Sequence, residues 1–231
     1  MTIHPNLTVP DRDLRQRDLI PPDQLSTYRC TVIGVGAIGR QVALQLAAIG
    51  VPSLQLIDFD TVEPVNLAAQ GYLQDDLGKP KVHTTAGLCQ EIHHGLATEE
   101  IVDRFKRSTP VGDAVFACVD CIQTRGRIFD AVKGKCRFFA DGRMSAEVIR
   151  VLACSESIPA SWMHYPSTLF SSDEAYSGGC TAKSTIFTAN IAAGLMLEQF
   201  SRHLRKLPID HDVMLNLLSM ELTVKDINTM V

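Results

Sequence analysis

The feature that most constrains this chain is a glycine-rich turn between a short strand-like run and a helical segment. Residues 31–33 are all β-branched, as expected of a buried parallel strand. Gly34, Gly36 and Gly39 follow with the spacing G-x-G-x-x-G. The first glycine permits a tight turn, the second lets backbone N–H groups approach a phosphate, and the third lets a helix pack close to the strand. Several kinds of nucleotide site share this spacing, so the elements that follow decide its meaning.

The turn is followed by a predicted helix and by a second strand that ends in a carboxylate. Residues 40–49 carry apolar side chains at helical spacing, and Gly50 stands where a C-terminal cap is expected. The N-terminus of this helix, which carries partial positive charge, would face bound phosphates. Asp58 closes the second strand about twenty residues after the glycines, where an acidic side chain can bind ribose hydroxyls. Together these elements predict a nucleotide-binding βαβ unit.

Composition and charge exclude several classes of protein. The chain has 231 residues, of which 45% are hydrophobic and 21% charged, enough for one sizeable globular core. A net charge of −4 and the lack of a basic run argue against a nucleic-acid or membrane-surface partner. No secretory signal begins the sequence, and the apolar run Ile186–Leu197 is too short and too interrupted to span a membrane. Seven cysteines without framework spacing predict free thiols in a reducing cytoplasm.

The order of the predicted elements indicates an α/β fold. Residues 1–29 are interpreted as an N-terminal arm, and residues 30–231 as a single domain. Strands and helices alternate through about residue 140, which predicts a Rossmann-like open, mostly parallel sheet with helices on both faces and an antiparallel C-terminal extension. Residues 155–184 lack periodicity and are predicted to form a functional crossover loop. A long apolar helix is predicted over Ile186–Leu204.

Two boundaries in this scheme rest on single residues. Pro64 is taken to exclude both a strand and a helix directly after Asp60. Asp141 is taken to end a strand that begins at Arg137. Arg143 would then lie beyond that strand end, either positioning an acyl donor or forming a surface salt bridge.

Polar side chains gather at the predicted carboxyl ends of the strands, where an open α/β sheet binds its ligands. The acidic members are Asp58, Asp60, Asp120 and Asp141. Asp120 is placed to hold a hard cation, and Lys81 and Asn66 could contact a triphosphate from the opposite loop. An ATP-using adenylyltransferase needs a magnesium carboxylate and a phosphate-facing lysine, because charge on the leaving pyrophosphate must be neutralised. A dehydrogenase needs neither.

Six segments, in order and at compatible spacings, resemble motifs of the ThiF/MoeB superfamily of ubiquitin-activating-type adenylyltransferases. They are R-x-x-R-Q at 12–16, the glycine loop at 34–39, L-x-D-x-D-x-V at 56–62, N-L-x-R-Q at 66–70, G-x-x-K-V at 78–82 and C-x-D-N…R at 118–125. The resemblance implies ribose binding by Asp58 with Asp60 beside it, phosphate binding by Asn66 and Lys81, Mg2+ binding by Asp120, and contact of Arg15 with the ATP γ-phosphate across a homodimer interface. It reinterprets the pair Cys118 and Cys121 as a strand end rather than a metal clip.

The chain departs from these motifs at two positions. Ala69 replaces the arginine of N-L-x-R-Q, and Cys121 replaces the asparagine that follows the magnesium aspartate. One phosphate contact is therefore absent, which would slow adenylation unless Arg12 or Arg17 compensates. An inactive pseudoenzyme is the alternative.

A second chemical centre is predicted at Gly178–Ser184, which resembles the segment that carries the thioester-forming cysteine of eukaryotic-type activating enzymes. Cys180 lies ahead of the predicted helix, whose N-terminal dipole would favour the thiolate, and Lys183 adds positive charge. The alternative is that Cys180 is a small buried residue near a helix start.

These features lead to one expected function and several rivals. We expect a cytoplasmic enzyme that uses ATP and Mg2+ to adenylate the C-terminal carboxylate of a ubiquitin-like protein and then forms a thioester on Cys180, with a conjugating enzyme as a further partner. A sulfur-carrier protein or another carboxylate could be adenylated without a thioester. The other rivals are a different acceptor such as a tRNA nucleoside or peptide terminus, an NAD-dependent oxidoreductase, and a non-catalytic subunit that only docks a partner.

Overall fold

The computed structural model describes residues 11–170 and 184–225, which form one sheet flanked by helices. The strands are β1 (Arg29–Ile33), β2 (Ser53–Ile57), β3 (Ala97–Ile101), β4 (Ala114–Ala117), β5 (Phe138–Ser145), β6 (Val148–Ser155), β7 (Asp212–Asn216) and β8 (Glu221–Val224). The helices are α1 (Pro22–Leu25), α2 (Ala37–Ile49), α3 (Pro64–Gln70), α4 (Lys81–Ile92), α5 (Ile122–Val132), α6 (Pro159–His164) and α7 (Ile186–Leu204). Short 3-10 turns cover Gln74–Asp76 and Tyr165–Thr168.

The sheet has the strand order β3-β2-β1-β4-β5-β6-β7-β8. The strands from β3 to β5 pair in parallel, and β6, β7 and β8 add to them antiparallel. The chain winds outward in one direction from β1 to β3 and in the other through β4 and β5, so the winding reverses between β1 and β4. A reversal of this kind opens a ligand crevice at the carboxyl ends of the two strands. The predicted Rossmann-like sheet with an antiparallel C-terminal extension is confirmed.

Two apolar clusters lie on opposite faces of the sheet, because successive strand residues point to opposite sides. Val32 and Phe116 pack into the cluster that α2, α4 and α7 cover. Ile33 and Val115, their chain neighbours, pack into the cluster that α5 and α6 cover. Helices therefore cover both faces, and the long apolar helix predicted over Ile186–Leu204 has the predicted bounds.

The structure corrects the interpretation of Pro64. It is the first residue of helix α3, preceded by Glu63 in an extended conformation. A proline is tolerated there because the N–H that it lacks would have no helical partner in the first turn. Asn66 therefore lies on a helix rather than in a loop.

The expected strand end at Asp141 is also wrong. Strand β5 continues to Ser145, and all eight of its residues pair with β6, Asp141 opposite Leu152. Asp141 is fully buried at 0% exposure, with its carboxylate held by side chains described below. A buried carboxylate with partners does not interrupt a strand, and the sequence alone does not reveal those partners.

Described parts of the arm and of the crossover segment pack against the core, which the sequence does not indicate. Leu25 and Tyr28 are buried in the core, and Tyr28 Oη lies 2.7 Å from His203 Nε2. Within the expected loop 155–184, α6 and a 3-10 turn pack on the sheet, which accounts for the aromatic residues Trp162 and Tyr165. The six cysteines of the described ranges are unpaired, and no helix there combines the length and apolar character needed to cross a bilayer.

Candidate nucleotide site

Close packing explains two of the three glycines in the loop between β1 and α2. Gly34 has φ of +87°, and a Cβ there would lie 2.8 Å from the carbonyl oxygen of Cys118. A Cβ on Gly39 would lie 1.8 Å from the carbonyl oxygen of Gly34, so α2 packs directly on the loop. A Cβ on Gly36 would meet nothing nearer than Gln70 Oε1 at 4.0 Å. Protein packing therefore does not require a glycine at position 36, the position expected to face phosphate.

Asp58 holds the glycine loop in place. The residue follows β2 and is 8% exposed. Its carboxylate accepts hydrogen bonds from the backbone N–H groups of Val35, at 2.5 Å, and Asp60, at 2.8 Å. Burial raises the pKa of the carboxyl, although both hydrogen bonds act in the opposite direction. Whatever it does with a ribose, Asp58 also fixes the turn from which the loop amides project.

Lys81 and Asp60 form an ion pair at the same edge of the sheet. Lys81 Nζ lies 3.0 Å from Asp60 Oδ2, and the Lys81 side chain is only 7% exposed, against 45% for Asp60. The Lys81 backbone N–H also donates to the Asp60 carbonyl at 3.0 Å. Asn66 is buried nearby on α3, where its Oδ1 accepts from the Glu63 backbone N–H and caps the helix. The lysine ammonium is thus held at the mouth of the crevice.

Asp120 lies beyond the carboxyl end of β4, the strand next to β1. The residue is exposed and stands between β4 and the first residue of α5, Ile122. Two residues earlier Cys118 packs against the glycine loop, since a Cβ on Gly39 would lie 3.1 Å from Cys118 Cβ. In residues 11–170 and 184–225 no group of three His, Cys, Asp or Glu side chains could hold a metal. A single carboxylate nevertheless suits Mg2+ that arrives with phosphates and keeps several waters.

Cys118 and Cys121 are not a metal clip. Burial raises the pKa of the Cys118 thiol to about 12. Cys121 is exposed at the start of α5, where backbone hydrogen bonding from Thr124 lowers its thiol pKa. The Cys121 Sγ contacts Gln123 Oε1 at 2.8 Å rather than Cys118.

A buried network that sequence reasoning missed lies behind Asp120. Arg125, 6% exposed, donates to the carbonyl of Val119, to that of Gly142 at 3.0 Å, and to the carboxylate of Asp141. The Tyr165 hydroxyl donates to Asp141 Oδ2 at 2.8 Å. Burial lowers the pKa of Arg125 to about 10, which leaves the guanidinium charged at neutral pH. The network fixes the strand end that carries Asp120, and Asp141 is part of it rather than of the ligand edge.

Arg143 links this network to the crossover segment. Its Nε donates to Asp141 Oδ2 at 2.8 Å, and its Nη atoms donate to the Thr168 carbonyl at 2.8 Å and hydroxyl at 3.1 Å. Arg143 is therefore a half-buried member of the network, within β5, and not a surface residue beyond a strand end. Cys180 and Lys183 lie outside the described residues, and α7 begins at Ile186, six residues after Cys180.

The arginines of the arm lie far from the glycine loop of their own chain. Arg12 donates to the carbonyl oxygens of Ala48, at 2.8 Å, and Ala47, at 3.3 Å, near the C-terminus of α2. Arg17 pairs with Asp11. The thirteen residues of α2 separate that end from the glycine loop by roughly 20 Å. Within one chain, neither Arg12 nor Arg17 can therefore replace the motif arginine whose position Ala69 occupies. Arg15 is exposed.

One comparison with known proteins decides the family. The sequence model of the ThiF family matches residues 12–210, which are most of the chain and include all of the site described above. This chain belongs to the ThiF family. The resemblance inferred from the motifs is therefore confirmed.

Two curated relatives of this ThiF-family chain carry names that specify an activity. The SAMP-activating enzyme E1 of Haloferax volcanii is 30% identical over 149 residues, 60% of this chain and 54% of the relative. The molybdopterin-synthase adenylyltransferase of Haemophilus influenzae is 29% identical over 121 residues, half of each chain. The matched segments span about half the length of these relatives.

A solved structure shows the same fold at low identity. MccB of E. coli, in a structure with ATP, has a TM-score of 0.71 and 16% identity to the ThiF-family chain, covering 91% of it and 66% of MccB. At this identity the similarity concerns the fold alone.

The structure brings most of the predicted site residues of the ThiF-family chain to one edge of the sheet. Those at the crevice are Gly34, Gly36, Gly39, Asp58, Asp60, Asn66, Lys81 and Asp120. Asp141 lies behind that edge, Arg15 lies on the arm, and Cys180 lies outside the described residues. Sequence reasoning missed the Arg143 contacts with Thr168 and the placement of Arg40, which is described below.

Proposed function

We propose that this ThiF-family chain uses Mg·ATP to adenylate the C-terminal carboxylate of a small ubiquitin-like or sulfur-carrier protein. The observation that carries the proposal is the meeting of three groups at one crevice: the open Gly36 position, the buried Lys81 ammonium beside Asp60, and the exposed Asp120 carboxylate. The names of the two relatives, an activating enzyme and an adenylyltransferase, support the same reaction.

In the proposed reaction, a carboxylate oxygen of the partner attacks the α-phosphorus of ATP. A new P–O bond forms, the bond between the α-phosphorus and its bridging oxygen breaks, and pyrophosphate leaves with the electron pair. The loop amides held by Asp58 and the N-terminus of α2 would bind phosphate oxygens, and Lys81 would neutralise charge on the leaving group. Asp120 would hold Mg2+, which supplies further charge neutralisation on the phosphates when bound.

A second step is proposed at Cys180. Its thiolate would attack the carbonyl carbon of the acyl-adenylate, forming a thioester and releasing AMP. The support is the motif Gly178–Ser184 and the anchoring of Thr168 by Arg143, which ties the chain entering that segment to the network behind Asp120. We also propose a homodimer in which Arg15 contacts the γ-phosphate of the other subunit, and a conjugating enzyme as the acceptor of the thioester.

Adenylation without a thioester is the second candidate. It is favoured by the relative named for molybdopterin synthase, and it would leave Cys180 without a covalent role.

Isotope exchange between ATP and pyrophosphate tests the adenylation. With a small candidate protein that ends in Gly-Gly, we expect exchange that depends on Mg2+ and on the free C-terminal carboxylate. A control partner shortened by its last two residues should support none. Absence of exchange with every candidate, together with thermal stabilisation by NAD rather than by Mg·ATP, would refute the proposal in favour of an oxidoreductase.

Non-reducing gels then separate the two candidates. A partner adduct that thiols cleave, present in the wild type and absent in Cys180→Ala while exchange continues, is expected for the thioester. Exchange without such an adduct would support the sulfur-carrier case, and neither exchange nor adduct would leave only a docking role.

A further inference from the structure

Arg40 is the largest side chain that the described structure buries completely, at 1% exposure, and it lies in the first turn of α2 directly after Gly39. Its Nη1 donates to Thr85 Oγ1 at 3.1 Å and its Nη2 to the Gly71 carbonyl at 3.1 Å. The guanidinium stacks 4.1 Å from the centre of the Tyr72 ring. Its Nε is buried with no hydrogen-bond partner among the described residues.

All the direct contacts of Arg40 are uncharged. In residues 11–170 and 184–225 no carboxylate forms an ion pair with it. Asp76 and Glu91 share with Arg40 the lining of an open pocket of about 390 Å³, but neither hydrogen-bonds to the guanidinium. A buried cation is expensive unless an anion offsets its charge. Among the described residues, therefore, no carboxylate pairs directly with this buried positive charge.

The position of Arg40 connects that charge to the glycine loop. The Arg40 backbone N–H donates to the Gly36 carbonyl at 3.0 Å. The Tyr72 hydroxyl, beneath the guanidinium, donates to the Val35 carbonyl at 2.6 Å. Thr85 lies one turn after Lys81 on α4. The guanidinium is thus enclosed by residues that bond to the loop or extend the helix that carries Lys81.

We infer that Arg40 is a positioning residue for polyphosphate, whose buried charge is offset by the phosphates bound at the glycine loop. In a low-dielectric interior a charge acts at longer range than in water, so Arg40 need not touch the phosphates to favour them. The inference rests on the proposed function in one respect, that the crevice binds ATP. The nearby pocket is lined by the acidic Asp76 and Glu91 and by the basic Lys79 and His83, so it is not distinguished as an anion site, whereas the Arg40 backbone and Tyr72 both bond to the glycine loop.

The test is a comparison of ligands that differ in phosphate count. Calorimetry would measure the Kd values of Mg·ATP, Mg·ADP, AMP and adenosine for the wild type, Arg40→Met and Arg40→Lys. Methionine keeps the unbranched chain without its charge, and lysine keeps the charge. We expect Arg40→Met to weaken Mg·ATP roughly tenfold, Mg·ADP less, and adenosine by less than about twofold, with Arg40→Lys between Arg40→Met and the wild type, because a buried ammonium lacks the planar guanidinium fork and loses charge more readily.

A merely structural role predicts a different pattern. Arg40 would then clamp α2 to the segments that carry Gly71 and Thr85, and its loss would weaken all four ligands alike or none. Thr85→Val is the matched control, because it removes hydrogen bonds of the same cluster but no charge and keeps the contact of Tyr72 with the glycine loop, so it should leave the ratio of the ATP and adenosine constants unchanged. An equal loss for every ligand, or a shifted ratio in Thr85→Val, would overturn the inference.

Two further precautions keep the outcomes distinct. Arg40→Gln, whose neutral amide can still donate hydrogen bonds, is measured in the same way and gives the same expected ratio if Arg40→Met does not fold. The Arg40 variants could change the ratio of the ATP and adenosine Kd values as expected while the wild type shows no pyrophosphate exchange. That result would contradict the proposed function and not this inference. Unchanged ATP affinity in Arg40→Met and Arg40→Gln, with exchange intact, would contradict this inference alone.

Discussion

Two buried arginines lie behind neighbouring parts of the crevice and have opposite surroundings. Arg125 is paired with the fully buried Asp141 and with two carbonyl groups, and Tyr165 completes the carboxylate's hydrogen bonds. Arg40 has only a hydroxyl, a carbonyl and an aromatic ring. The first region satisfies its own charges and can serve only to hold a shape. The second leaves charge to be offset, which is the property expected of groups that favour an anionic ligand.

The largest expected effect comes from breaking the network of Arg125, Asp141, Arg143 and Tyr165, called the closed network below because its charges are paired within it. Asp141→Ala leaves the buried guanidinium of Arg125 and the half-buried one of Arg143 without their carboxylate, and we expect the free energy of unfolding to fall by about 3–5 kcal/mol. Urea denaturation measures this loss. Asp103→Ala, which removes the exposed partner of Lys106, should leave the urea midpoint almost unchanged. Similar midpoints for the two variants would show that the network does not hold the fold.

The next effect concerns the open side of the same strand end. We expect Asp120→Asn to slow pyrophosphate exchange by about 10²–10³-fold, because it removes the charge proposed to hold Mg2+. The urea midpoint should stay at the wild-type value, since Asp120 is exposed. Asp130→Asn, on the exposed side of α5, is the matched control and should exchange normally. A loss of stability in Asp120→Asn would mean that this side chain belongs to the closed network instead.

The smallest effect is a pH dependence in another closed cluster. His203 lies between Tyr28 Oη, at 2.7 Å, and Ser155 Oγ, at 2.8 Å, and burial lowers its pKa from 6.5 to about 4. The folded state therefore favours the neutral ring, and its stabilisation is complete above pH 6.5 and lost as the pH falls toward 4. We expect the urea midpoint to fall more steeply over that range in the wild type than in His203→Gln. Parallel pH curves would contradict this assignment.

The parts of the fold that depend on neighbouring residues could be predicted from the sequence. The glycine spacing, the helical periodicity before Gly50 and the apolar run of α7 each lie within about twenty residues, and the structure places these elements as predicted. Pro64 misled the prediction because a proline at the first position of a helix cannot be told from a helix breaker without the structure that precedes it.

The contacts that distinguish the two arginines could not be predicted. The partners of Arg40 lie 31 and 45 residues away in the sequence, and those of Arg125 include a carboxylate 16 residues away. Asp141 was misplaced because its strand is extended by pairing with β6, and this pairing depends on an antiparallel partner that follows it in the chain. A residue-type pattern shows where charges occur, but not which of them meet.

The arm contact with α2 has a consequence for the charge balance of that helix. Arg12 donates to the carbonyl groups of Ala47 and Ala48 in the last turn of α2, so a cation from the same chain already offsets the negative pole of the helix. The other pole, at Gly36, begins with no acidic side chain in its first turn. No side chain of α2 itself offsets the positive pole, and the nearby Asp58 carboxylate is already bonded to the N–H groups of Val35 and Asp60. This positive end is the one directed at the glycine loop, and Arg40 adds to it from within the same turn.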